Sequence, residues 1–205
     1  MDRAEQSAAR EWFVTEPEVA AADAIFRRKG IRYVVIGGQA IAQNAATATR
    51  DVDVMVATAD YRRTLAQLRE ERELAFDWED GKLARFRILG IGGVPLDVLD
   101  AAVFAGRRTG EEFFRYLREE ASAEVDGITY ASPELVWYTR LLTKRWRAYA
   151  EKIVTNVLDG ISPGRLEKVE AIARHFGTEA TVRERLAYVR EELARPDLAS
   201  LRDSA

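Results

Sequence analysis

Asp51 and Asp53 lie two positions apart in the alternating run Asp-Val-Asp-Val-Met-Val at 51–56. Alternation of period two predicts a strand, whose Val face is the core face and whose two carboxylates leave the other face together. At a rise of about 3.3 Å per residue their Cα atoms stand about 6.5 Å apart. Two carboxylates so placed repel each other without a cation, and hard oxygen donors are the ligands that Mg²⁺ selects. The other reading of this D-x-D run is an edge strand with a solvated acidic face, and the run taken alone favours that one, since short motifs recur by chance.

Two further features bear on that choice. Gly37-Gly38 follows the β-branched run Ile31 to Ile36 and opens a helix expected around Gln39 to Ala46. A glycine turn between strand and helix lets backbone N–H groups approach a phosphate, although turn geometry alone also asks for glycine. Asp97 sits in Leu96-Asp97-Val98, an acid inside an apolar strand, where a charge is costly unless paired or bound to metal. Strand parity puts Asp97 and Leu99 on one face and Asp100 on the other. Asp97 is therefore the third candidate carboxylate, and Asp100, at the strand end, reads as a cap for the next helix.

These residues need a scaffold, and the pattern supplies one. Glu16 to Lys29 reads as a helix with Val19, Ala22, Ile25 and Phe26 inward, stopped at Gly30. Tyr61 to Glu71 reads as another, with Leu65 and Leu68 inward, and Asp80-Gly81 marks a hairpin. Arg85 to Leu89 and Val94 to Leu99 supply two strands around a glycine turn, and Pro95 fits a strand start. A helix at 111–120 and a strand at 128–131 complete an α/β part, a small mixed β-sheet core with flanking helices over 1–131. From Ser132 onward strand periodicity stops, and helices are expected at 133–147, 149–159, 163–175 and 179–194, an all-helical C-terminal domain over 132–205.

Composition narrows the chemistry. The 205 residues carry 31 basic and 34 acidic side chains, a net charge of -3, so any nucleic-acid binding must come from a local patch. There is no Cys and a single His, which excludes disulfides, thiolate metal sites, cysteine nucleophiles and a His-rich zinc site. His175, before Phe176-Gly177, reads as a helix-end residue. The start MDRAEQSAAREWF lacks the apolar core of a secretory signal. The charge-free stretch 33–49 is too polar and short for a membrane span. A cytoplasmic protein without membrane association is the expectation.

Taken in order, Gly37-Gly38, Thr49-Arg50-Asp51-Val52-Asp53-Val54 and Leu96-Asp97-Val98 resemble the polymerase-beta-like nucleotidyltransferase superfamily, whose pattern is a Gly-Gly or Gly-Ser turn, D-h-D on a strand and a later h-D-h. The match covers about residues 30 to 100. Within the superfamily the runs Ile36 to Ala42 and Thr49 to Asp53 are similar to the abortive-infection type IV toxin nucleotidyltransferases and to small antibiotic nucleotidyltransferases. The resemblance implies an Mg²⁺-dependent enzyme, with Mn²⁺ as substitute, that uses two ions and moves a nucleoside monophosphate from an NTP to an acceptor. In it Asp51 and Asp53 hold metal against the triphosphate, Asp97 joins the second metal and accepts the acceptor proton, and Gly37 and Gly38 cradle phosphates. Acceptors in keeping with it are RNA such as a tRNA end, a small molecule, or a protein, and a toxin-like chain implies an antitoxin partner.

In the toxin-like relatives a Lys on a helix after the core approaches the phosphates, and Arg140 or Lys144 could take that place, although their Lys-led motif does not align cleanly here. Those residues read equally as a solvated basic face opposite the stripe Leu135, Tyr138, Leu142, Trp146 and Tyr149. Arg50, beside the D-x-D run, is a phosphate contact or a surface charge. Trp137, Tyr138, Trp146 and Tyr149 fit core packing better than base stacking. The alternative class is a catalytically silent nucleotidyltransferase fold serving as a nucleotide-binding or partner module, against which the intact set of three acids argues.

Overall fold

Pattern and hydrogen bonding place eight α-helices and seven strands in the computed structural model, which describes residues 17–42 and 51–195. In chain order these are α1 (Pro17–Arg28), β1 (Tyr33–Ile36), α2 (Gly37–Ala42), β2 (Val52–Val56), α3 (Thr58–Arg69), β3 (Leu74–Asp80), β4 (Leu83–Ile88), β5 (Val94–Asp100), α4 (Gly110–Glu119), β6 (Ser122–Val125) and β7 (Ile128–Ala131). Then follow α5 (Pro133–Leu142), α6 (Trp146–Leu158), α7 (Arg165–His175) and α8 (Glu179–Leu193). The expected class, a mixed α/β core followed by helices, is the observed one.

One seven-stranded sheet runs in the order β3-β4-β5-β2-β1-β7-β6. β2 pairs parallel with β5 and β1 parallel with β7, while the remaining neighbours are antiparallel. The strand that carries Asp53 is therefore central, and the edge-strand reading of the D-x-D run falls away. On the core side Val52, Val54 and Val56 of β2, Leu96 and Val98 of β5, and Ala84, Phe86 and Ile88 of β4 are buried. Burying such side chains contributes about 1.5–3 kcal/mol each for the larger ones, which pins the register of these strands. The inward residues expected for α1 and α3 are buried as well. Continuous with this layer, Phe113, Tyr138, Phe176, Val182 and Leu186 bury the helical part in the same cluster.

Two expectations need correction. The helix expected at 133–147 ends at Leu142, and Lys144 lies in the turn before a new helix that starts at Trp146. Thr143 is extended (φ -74°, ψ 163°) and its hydroxyl donates to the Arg140 carbonyl at 2.9 Å. Arg185 from α8 donates to the Leu141 carbonyl and, at 3.3 Å, to that of Thr143, so a tertiary contact satisfies carbonyls at the helix end. The second correction is β6, which no pattern in Ser122–Val125 announced. It pairs with β7 across Asp126-Gly127, both with positive φ (52° and 78°), the backbone that a two-residue hairpin turn requires.

Candidate active site

The site grows from pairing across the middle of the sheet. In the β1–β2 ladder Ile36 opposes Asp53, and in the β2–β5 ladder Asp53 opposes Asp97. Residues directly opposite share a face, so Asp53 and Asp97 stand side by side although distant in sequence. Asp51, just ahead of β2, completes the set, and one carboxylate oxygen from each of Asp51, Asp53 and Asp97 lies within 4.8 Å of the others. Asp100 behaves as the cap the sequence suggested. Its carboxylate accepts from the Ala102 amide at 2.9 Å and from the Thr58 hydroxyl, away from the triad.

Gly37 is needed where it stands. Its φ is +68°, and a Cβ there would come within 2.0 Å of Asp53 Oδ2. The turn thus brings backbone against the carboxylate where any side chain would displace it. Gly38 follows in the first turn of α2 and, unlike Gly37, has no positive φ.

The electrostatics are those of crowded acids in a partly dry place. Asp53 is pushed up to about 7, first by burial and then by the charges of Asp51 and Asp97. Arg140, on α5, opposes that shift from across the site. Burial pulls its guanidinium down from its usual range, which Tyr149, Asp53 and Asp51 counteract, and it lies over the Tyr149 ring at 5.5 Å from the centroid. Arg140 thus feels the charge of Asp53 and Asp51. Lys144 is exposed in the turn after α5. Arg50 lies outside the described residues.

The strongest contact in the site was not among the sequence candidates. Arg85, on β4, opposes Asp97 and holds it by two hydrogen bonds, Nε to Oδ1 and a terminal nitrogen to Oδ2, each 2.6 Å. This fork matches both carboxylate oxygens at once and raises the guanidinium's pKa. An Arg on the outward parity of an apolar strand is an ordinary surface signal, so only the ladder distinguishes it. Of the four aromatic residues expected to pack, Trp137 and Tyr138 are fully buried, with the Trp137 indole N–H donating to Asn156 Oδ1 at 3.3 Å and the Tyr138 hydroxyl donating to the Phe104 carbonyl at 3.0 Å, whereas Trp146 and Tyr149 are half-buried. His175 stacks on Tyr116 at the end of α7.

The donor set fits a hard divalent cation. All three candidate ligands are carboxylate oxygens, the donors that Mg²⁺ selects, gathered within 4.8 Å of one another. A cation there also answers the repulsion that raises Asp53. Among the described residues no helix is long and apolar enough to cross a membrane.

No protein-family model and no curated protein matches the chain. Among solved structures it is similar to the antibiotic-resistance factor ANT(2'')-Ia in complex with adenylyl-2''-tobramycin, with TM-score 0.45 and 16% identity over 86% of this chain and 97% of that one. It is also similar to the Megavirus polyadenylate synthase, with TM-score 0.42 and 13% identity over 76% of this chain and 35% of that one. At these identities and TM-scores the likeness assigns no activity, and the chemistry of this chain rests on its own residues.

Proposed function

We propose that the chain is a divalent-metal-dependent nucleotidyltransferase of the polymerase-beta-like superfamily, moving a nucleoside monophosphate from an NTP to an acceptor hydroxyl. The observation that carries this reading is the convergence within 4.8 Å of Asp51, just ahead of β2, with Asp53 and Asp97 on two strands paired in parallel. Mg²⁺ is the ion this oxygen set favours, and when bound it neutralises charge on the attacking and leaving oxygens of an in-line phosphoryl transfer.

The residues divide the work. Asp51 and Asp53 hold the triphosphate side, where Gly37 and Gly38 offer backbone and Arg140 a partly buried cation. Asp97 faces the acceptor and takes the proton of its hydroxyl as that oxygen bonds to the α-phosphorus; the α–β phosphoanhydride bond breaks and pyrophosphate leaves. The setting as a toxin with an antitoxin partner is the finer part of the proposal, supported by the runs Ile36 to Ala42 and Thr49 to Asp53.

The test is incubation with each α-labelled NTP and Mg²⁺, alone and with total small RNA, followed by location of the label. Label moving to an acceptor with wild type and not with Asp51→Asn is the expected result. No transfer from any NTP, together with no NTP-dependent rise in melting temperature, would sink the reading.

A further inference from the structure

The ladder that joins the acids continues to the sheet edge. Asp53 opposes Asp97, Asp97 opposes Arg85, and Arg85 opposes Trp78 on β3, so four strands place these side chains in one row on one face. Trp78 is there because of an irregularity. Phe76 pairs with Phe86, yet Trp78 pairs with Arg85, leaving Asp77 as an extra residue in β3. Without this bulge Trp78 would oppose Ala84 and share the face of Phe76, whose ring packs edge-on against the buried Phe86. The bulge turns the indole to the face of the acids instead, a re-aiming that bulges commonly perform beside functional sites.

There the indole is 39% exposed, with the Arg85 guanidinium 5.7 Å from its ring centroid. An exposed Trp on an edge strand is a liability in a protein with no use for it. Gly37 lies against Asp53 at the other end of the row, and with the triphosphate side assigned there above, the β5–β4–β3 side is left to the acceptor. From Asp97 to Trp78 is two strand spacings, about 10 Å, a span on the scale of one nucleotide.

We propose that Trp78, backed by Arg85, is the stacking platform for a base at the 3′ end of a single-stranded nucleic-acid acceptor. This rests on the nucleotidyl-transfer reading above. A planar base finds both of the surfaces on which unpaired bases stack, an aromatic ring and a guanidinium plane. Stacking there leaves the terminal ribose hydroxyl directed along the row toward Asp97.

The probe is a 5′-labelled single-stranded RNA ending in adenosine, titrated against the full chain by fluorescence anisotropy with Mg²⁺ and a non-hydrolysable NTP. A second strand of equal length with abasic 3′ positions is run beside it. Trp78→Ala should weaken binding of the adenosine strand by about tenfold or more, while Trp78→Phe stays within about threefold of wild type. The abasic strand should bind more weakly and be indifferent to the substitution. Equal binding of the adenosine strand by wild type and Trp78→Ala, equal binding of the two strands by wild type, or no binding of either would overturn the proposal. NTP-dependent stabilisation, measured separately, should be unchanged in both variants. Its absence in wild type, together with no label transfer from any NTP, would overturn nucleotidyl transfer, while strand binding by anisotropy would still decide the role of Trp78.

Discussion

Arg85 holds Asp97 by both carboxylate oxygens at 2.6 Å, and one of those oxygens also completes the acidic cluster. The fork supplies positive charge beside the crowded carboxylates, and each Asp97 oxygen keeps a second lone pair that can bind a cation while the guanidinium still donates to the first. Arg85 thus orients Asp97, while its positive charge opposes a cation bound beside it.

Arg85→Met should therefore separate two effects. Without divalent ion the variant should lose about 1–3 kcal/mol of stability, because Asp97 is left beside Asp53 without its charged donor. The Mg²⁺ concentration at half-maximal stabilisation, in the presence of NTP, should fall relative to wild type. A higher midpoint in the thermal-shift titration would show that Arg85 assists metal binding rather than opposing it.

The raised Asp53 predicts a pH dependence of definite sign. Its folded value of about 7 lies above the ordinary carboxylate range, so the folded protein binds this proton more tightly than the unfolded chain. Stability from this group is full below about pH 4 and declines as pH rises toward 7, at up to about 1.4 kcal/mol per unit. Asp53→Asn should melt above wild type at pH 8 and close to it at pH 4 when no divalent ion is present. Parallel melting-temperature curves for the two proteins across pH 4–8 would remove Asp53 as the titrating group.

Gly37→Ala should cost more than Gly38→Ala. The Gly37 position combines φ +68° with a Cβ contact of 2.0 Å to Asp53 Oδ2, so alanine is strained and pushes the carboxylate aside. Isothermal titration should show loss of Mg²⁺–NTP binding in a folded Gly37→Ala protein. Normal binding by that variant would make Gly37 a turn residue only.

Asp97→Asn and Asp100→Asn provide a matched pair from one strand. The first should keep nucleotide binding through Asp51 and Asp53 yet lose transfer by orders of magnitude. The second keeps a side-chain oxygen that can accept from the Ala102 amide, and should cost less than about 1 kcal/mol of stability with turnover within a few-fold of wild type. Measured label-transfer rates in the opposite order would overturn the assignment of the third carboxylate.

The sequence alone determined which side chains could do chemistry and which face of its own strand each occupied. Asp51, Asp53 and Asp97 were legible because alternation fixes the face of a strand, and Gly37 because a strand-to-helix turn calls for glycine. Asp100 was legible as a cap by the same parity. What alternation cannot encode is the neighbour on the next strand. Register between β2 and β5 set Asp53 against Asp97, and register between β5 and β4 set Arg85 against Asp97, both fixed by burial of residues far apart in the chain. A single extra residue, Asp77, reversed the face of Trp78, and parity counted from Phe76 would have placed it wrongly. The end of α5 was decided the same way, by Arg185 reaching carbonyls that a continuous helix would have kept for itself. Local pattern carries intrinsic preference, whereas the partners of a charge are chosen by the packing that brings distant elements together.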